Sequence, residues 1–438
     1  MYDIVSKLLL YGNYPQDEIL MEFASIYRDY EETDYLDEDI TTRIYTQVKR
    51  LLELATDYGF DDSIWHNYLT YLIITNENPF SLTCEKVGAN EGSVNNFAKN
   101  DFKQFMRLFH FDFSDIEKEL EIDCFEHLLN YKAIKKPELM YNKNVSEKVR
   151  SLSKKLAAAQ DEDEFFDLVT TFYKDYGVGM FGLNKAFRLE YVDGVMGFKP
   201  ISNMEQVTLD ELVGYEIQKK KLVDNTEAFV EGRKCNNVLL FGDSGTGKST
   251  SIKAIVNQYY DRGLRMIEIY KHQFKDLSNV IARIKNRNYK FIIYMDDLSF
   301  EEFEIEYKFL KAVIEGGVET KPENILIYAT SNRRHLIKET WSDRSDVKMD
   351  NGMHQSDTME EKLSLVYRFG VTISYSKPSQ KEYFDIAKTL CKREGVDWSD
   401  ERIEAEANKW ELSHGGISGR TARQFANYVA ALCESENK

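Results

Sequence analysis

The residues Gly242, Asp243, Ser244, Gly245, Thr246, Gly247, Lys248 and Ser249 run in the pattern GxxxxGK[ST]. The chemistry of that pattern is phosphate binding. Its glycines let backbone N–H groups curl around phosphate oxygens where a Cβ would clash. The lysine reaches the terminal phosphates, and the serine offers its hydroxyl to Mg²⁺. Thr250 follows directly and is counted with the loop. An apolar run, 237–241, precedes the motif, and a helical stretch opens at Lys248, which is the context the mechanism requires.

Two further strand ends carry polar groups. The run 291–295 is apolar and ends in Asp296 and Asp297, 48 residues after Lys248. Beside a phosphate loop, the first acid can serve the Mg²⁺ shell and the second can polarise water. Asp296 is therefore assigned to the metal and Asp297 to water activation. The run 325–331 ends in Asn332. An amide at the tip of the neighbouring strand can hold the attacking water or the γ-phosphate.

These side chains need a scaffold that brings distant strand ends together. From residue 205, β-branched apolar runs (NVLLFG, LRMIEIY, KFIIYMD, NILIYAT, VTISY) alternate with helical stretches at 248–259, 274–285 and 304–314. That alternation predicts a parallel sheet covered on both faces. Residues 379–438 carry helical patterns only. Residues 1–175 read as successive helices, for instance 17–30, 39–58, 62–74, 102–109, 146–159 and 163–176. Along 42–55, Ile44, Val48, Leu51, Leu52 and Ala55 recur at three- and four-residue steps, one face of a helix. Phe105, Phe109, Phe111 and Phe113 are expected in the core. Between the halves, Asp193 and Gly194 lie between two β-like runs and predict a tight hairpin. The expected division is a helical domain at 1–176, a β-connector at 177–204, a nucleotide-binding αβα core at 205–377 and a helical lid at 378–438.

The 438 residues carry a net charge of −17, with 42% hydrophobic and 30% charged residues. This excludes disordered, collagen-like and disulfide-scaffold chains. No apolar stretch reaches 18 residues, so no membrane span is expected. The N-terminus is read as mature protein, with no signal peptide. The five cysteines are scattered, with no CxxC pair, as expected of a reducing cytoplasm. Residues 1–200 hold 22 Lys/Arg against 36 Asp/Glu. That acidic half is ill suited to tracking phosphates along nucleic acid. It suits solubility or a basic protein partner.

The order of phosphate loop, acidic strand, Asn-tipped strand and helical C-terminus resembles the AAA+ ATPase superfamily. Within it, LVGYEIQKKKLVDNTEAFVEG, NNVLLFGDSGTGKST, MDDLSFE, YATSNRRHL and SGRTARQF are similar to the bacterial family filed as domain of unknown function eight-one-five. The resemblance covers about residues 177–430. It implies a P-loop αβα core with a parallel sheet, a C-terminal helical lid and an all-helical N-terminal domain, with ATP and Mg²⁺ as cofactors. It also implies roles for particular residues. Leu212, Val213 and Gly214 occupy the place that contacts adenine. Arg368, in Tyr-Arg-Phe-Gly before VTISY, resembles the finger that acts on a neighbouring subunit's nucleotide. Arg420, with Arg423 close behind, resembles the lid arginine called sensor 2. Guanidinium suits both tasks, since it stays charged and forks onto phosphate oxygens. Asp297 departs from the commoner Glu, which bears on hydrolysis rate.

The resulting expectation is a cytoplasmic ATPase that forms homo-oligomers, transient or ring-shaped, and remodels or loads a macromolecular client. A protein client is favoured over nucleic acid, although Arg333, Arg334 and His335 keep DNA open. The alternative is a nucleotide-gated switch or helicase-loader-like module with little hydrolysis.

Overall fold

The computed structural model describes residues 1–32, 37–134, 143–300, 306–315, 322–332 and 366–436. The chain divides into two compact units, residues 1–184 with 200–203, and residues 185–199 with 204–438.

The first unit is helical. Its longer helices are Ile19–Glu32, Asp37–Tyr58, Ile64–Thr75, Val94–Phe109, Lys143–Ala158 and Glu162–Tyr176. Side chains at their starts satisfy first-turn N–H groups. Ser63 accepts from the His66 N–H, and Asp161 accepts from Asp163 and Glu164. Asn78 and Ser81 form a reciprocal capping box around Pro79, which starts the helix Pro79–Val87. One apolar core runs through the unit, and it holds Phe105, Phe109 and Phe113, with Phe111 packed against it. Several buried polar atoms at its centre are paired: Trp65 Nε1 donates to the Leu108 carbonyl at 2.9 Å. The Tyr11 and Tyr173 hydroxyls meet at 2.7 Å. Asp101 is fully buried and accepts from the backbone N–H groups of Leu9, Leu10 and Tyr11. With its own core, segment 1–184 is expected to fold alone. Circular dichroism of that segment should show cooperative thermal loss of helix, and a gradual, non-cooperative loss would mean that it needs the rest of the chain.

The second unit holds a seven-stranded sheet: β1 Ala186–Val192, β2 Val195–Pro200, β3 Val238–Gly242, β4 Leu264–Glu268, β5 Lys290–Met295, β6 Ile325–Ser331 and β7 Val371–Tyr375. The strands lie in the order β2-β1-β4-β5-β6-β3-β7. Pairs from β1 through β7 are parallel, and β5, β6 and β3 at the centre are buried on both faces, as their unbroken apolar sequences predict. The hairpin forms where expected, with Asp193 and Gly194 both at positive φ. Its first strand does more than connect: Ala186, Phe187 and Arg188 pair with Met266, Ile267 and Glu268, so β1 widens the sheet. The parallel order β4-β5-β6-β3-β7, with helices following β7, fits the sheet and helical C-terminus expected from the sequence.

The lid is three helices, Gln380–Arg393, Asp400–Ser413 and Gly419–Glu436, around a small core of Tyr383, Leu390, Ile403, Phe425 and Val429. Arg393 ties this lid to the segment ahead of β3, donating to the carbonyls of Glu211 and Asp210 at 2.8 Å each. Val213 packs against the lid core.

Candidate functional site

Parallel strands end together, and here β3, β5 and β6 deliver their polar tips to one edge of the sheet. The register aligns Gly242 of β3 with Tyr375 of β7, and Met295 of β5 with Ala329 of β6. The loop after β3 is tightly constrained. Gly242 has φ 130°, and a Cβ there would sit 2.0 Å from the Tyr375 carbonyl oxygen, so only glycine fits. Gly247, at φ 90°, caps the helix Lys248–Tyr259, and a Cβ there would meet the Leu212 side chain at 2.4 Å. The loop therefore curls into a helix N-terminus whose free N–H groups favour an anion.

Lys248 is 6% exposed. Its Nζ donates to the carbonyls of Gly242 (2.9 Å) and Asp243 (2.6 Å) and to Asn332 Oδ1 (3.0 Å). Burial pushes the Lys248 ammonium below its ordinary value, against the pull of Asp297, Asp243 and Asp296. Asn332 also reaches the other way, Nδ2 donating to Asp297 Oδ1 at 2.8 Å. One amide thus joins the lysine of the loop to the second acid of β5.

The first acid is held differently. Asp296 Oδ1 accepts from Thr330 Oγ1 (2.6 Å), Ser249 Oγ (2.8 Å) and the Asp297 N–H (3.2 Å). Burial pushes the Asp296 carboxyl up, but the surrounding hydroxyls of Thr330, Tyr294 and Ser249 and the Asp297 N–H outweigh it and hold it below the ordinary value. Among the described residues no donor reaches Oδ2. An ionised carboxylate with one free oxygen beside a serine hydroxyl is an all-oxygen donor set suited to a hard cation such as Mg²⁺, which takes one or two carboxylates and completes its shell with water and phosphate. Asp297 has left-handed backbone, φ 48°, and its N–H is fixed by Thr330 Oγ1 at 2.9 Å.

These groups face a cavity of about 800 Å³. Ser244 to Thr250, Asp296, Asp297 and Asn332 line its polar side. Leu212, Val213, Tyr215, Ile386 and Leu390 make an apolar end. Of the residues expected at adenine, Leu212 and Val213 line the cavity and Gly214 does not. Gly214 is exposed at φ 81° and turns the chain into Tyr215, which takes the lining position. Gly242 and Asp243 likewise stay out of the lining, and their carbonyls receive Lys248. Asp243 also fastens the loop to β7, accepting from the Lys377 N–H at 2.9 Å.

The lid arginines are both at the cavity, in different states. Arg423 Nη1 pairs with Glu394 at 3.2 Å. Arg420 forms no ion pair among the described residues, and its backbone N–H donates to the Gly245 carbonyl at 3.2 Å, so the lid touches the phosphate loop itself. Arg368 is not in the cavity. It precedes Val371, which aligns with Val238 at the start of β3, whereas the phosphate loop follows the far end of that strand. Arg333, Arg334 and His335 lie outside the described residues.

Thr330, Tyr215, Ile386 and Leu390 were not foreseen. Thr330 stands two residues before Asn332 on its strand, so period-two alternation puts both on one face and could have found it.

The family model described as protein of unknown function (DUF815) matches residues 183–432. Among solved structures, the Thermotoga maritima RuvB Holliday junction branch migration motor is similar at 18% identity, over 52% of this chain and 66% of that one, with a TM-score of 0.36. The FIGL-1 AAA domain in complex with ADP is similar at 17% identity, over 52% of this chain and 75% of that one, with a TM-score of 0.36. This chain thus spans just under two thirds of the RuvB chain's length. Among curated proteins nothing matches.

Proposed function

The chain belongs to the DUF815 family, and from that premise we propose that it is an Mg-ATP hydrolase of the AAA+ class that uses nucleotide turnover to remodel or load a protein client. The observation that carries this reading is the convergence of Lys248, Ser249, Asp296, Asp297 and Asn332 at one sheet edge, linked by hydrogen bonds of 2.8–3.0 Å.

In this reading the loop N–H groups and Lys248 bind the phosphates. Ser249 and Asp296 hold Mg²⁺, whose charge, when bound, offsets that developing on the phosphate oxygens. Asp297 orients the attacking water and takes its proton, with Asn332 fixing the carboxylate. The apolar end formed by Leu212, Val213, Ile386 and Leu390 receives the base. Arg420 approaches the phosphates from the lid, and Arg368 serves a neighbouring subunit. Positioning and charge stabilisation supply most of the catalysis.

The test separates the two acids. Asp297→Asn is expected to bind ATP like the parent and turn over about 10²-fold or more slowly, the usual scale of a lost general base. Asp296→Asn is expected in addition to lose the Mg²⁺ dependence of binding. Phosphate release and calorimetric titration with and without Mg²⁺ measure both. Parent-like turnover by Asp297→Asn would move the water-activating role to another residue.

A second reading, a nucleotide-gated switch with little hydrolysis, is favoured by one observation: Asp297 Oδ1 is already taken by Asn332. Phosphate release by the full chain, with and without DNA or candidate proteins, separates the two. The acidic charge of residues 1–200 supports a basic protein client. Among the described residues no helix is long and apolar enough to cross a membrane.

A further inference from the structure

Tyr294 lies on β5 two residues before Asp296, so the two side chains leave the same face of the strand. Its ring is 1% exposed. Its hydroxyl is buried and has no hydrogen-bond partner among the described residues. Buried hydroxyls are nearly always paired, because an unpaired one loses water and gains nothing. A phenylalanine would fill the same space at no such cost.

The surroundings explain why the pairing fails. The hydroxyl lies close to Ser249, Asp296 and Thr330, near enough to favour the Asp296 carboxylate, but in hydrogen-bonding geometry to none of them. Ser249, Thr330 and the Asp297 N–H are all spent on one oxygen of Asp296, Oδ1. A donor without an acceptor and a carboxylate oxygen without a donor are thus left on the flank of β5 where Ser249 begins its helix. Mg²⁺ characteristically keeps several waters. Such a water has protons and lone pairs for both groups, and a water that bridges two protein groups is nearly as good as a direct hydrogen bond.

We infer that Tyr294 is a positioning residue for the metal, its hydroxyl holding a water that the bound Mg²⁺ shares with Asp296. This rests on the proposed Mg-ATP site and adds to it a third protein contact. It assigns to the nucleotide-bound state the pairing that the phenol lacks alone.

The test uses the full-length Tyr294→Phe protein. Three quantities are measured: the melting temperature without nucleotide, ATP affinity by calorimetry in chelator, and Mn²⁺ affinity of the ATP complex by electron paramagnetic resonance. The inference expects a melting temperature equal to or above that of the parent, because an unpaired hydroxyl has gone. It expects metal-free ATP affinity within about twofold of the parent and Mn²⁺ affinity lower by about tenfold, the loss of one net hydrogen bond. In an Asp296→Asn background the same change should add no further loss, since the tyrosine acts through a water shared with that carboxylate. Unchanged Mn²⁺ affinity overturns the inference. So does an equal fall in all three quantities, which would mark Tyr294 as packing alone. If the parent itself binds ATP with no gain from metal, the site reading fails first and the inference with it. A metal gain that is the same in parent and variant removes only the inference.

Discussion

Lys248→Ala is expected to lower ATP affinity by about 10²-fold or more, and in practice to abolish binding at micromolar protein. The ammonium is nearly buried and at present is solvated by three neutral oxygens, those of Gly242, Asp243 and Asn332. Phosphate oxygens are stronger acceptors for it, because charge-assisted bonds are shorter and roughly twice as strong as neutral ones. Hydrogen bonds to charged groups contribute about 1.5–3 kcal/mol each, and about 1.4 kcal/mol is tenfold. Two such bonds lost give the figure. Alanine also leaves the carboxylates of Asp297, Asp243 and Asp296, now balanced by the ammonium, facing an incoming polyanion. Calorimetric titration measures the loss, and melting curves of the free protein confirm that the variant is folded. Affinity like the parent's would mean that the nucleotide binds elsewhere.

Arg368→Ala is expected to bind ATP within about twofold of the parent and to hydrolyse it about 10³–10⁵-fold more slowly, the scale of arginine fingers supplied from a neighbour. The sheet register carries this prediction. Arg368 enters β7 at the end where Val371 meets Val238, and the phosphate loop leaves β3 at the other end, where Gly242 meets Tyr375. Four residue steps along a strand separate the two ends, about 13 Å. A guanidinium there is poorly placed for its own nucleotide, and in the proposed reading it serves that of a second copy. Specific activity should therefore rise with protein concentration. Mixing Arg368→Ala with Lys248→Ala should restore part of the activity, since one supplies an intact loop and the other an intact arginine. A mixture that stays inactive while both variants are folded and associate would remove the trans role. So would a parent whose specific activity is flat on dilution through a monomeric range, as checked by light scattering.

The phosphate loop and the two other strand tips could be located by sequence because each is a local pattern: an apolar run, then a polar residue in a place apolar runs avoid. Helix boundaries were legible where caps and periodicity agree, as at Glu162–Tyr176, expected at 163–176. They were less so at Val94–Phe109, expected from 102, because in its first half, VNNFAKND, the stripe of Val94, Phe97 and Ala98 is outnumbered by five polar residues. What sequence could not supply was long-range pairing. β1 looks like half of a free hairpin until its partner, 80 residues further on, is known. Ile386 and Leu390 look like ordinary lid core, and only the closure of lid on loop turns them toward the cavity. Three donors converging on one oxygen of Asp296 come from three separate segments, and no single window contains them.

The left-handed backbone at Asp297 determines which chemical tool would test for the proposed client. Non-glycine residues at positive φ are mostly Asn and Asp, whose short polar side chains tolerate that geometry. Asparagine at this position inherits the backbone without strain and still presents Oδ1 to the Asn332 amide. It lacks only the negative charge and the ability to take a proton. The longer glutamate, or its glutamine counterpart, is less at ease in left-handed backbone and would place its carbonyl one methylene too far. Asp297→Asn is therefore the natural bait: a near-isosteric form that should stay loaded with ATP, and with it hold whatever macromolecule the loaded state grips long enough to be isolated and identified.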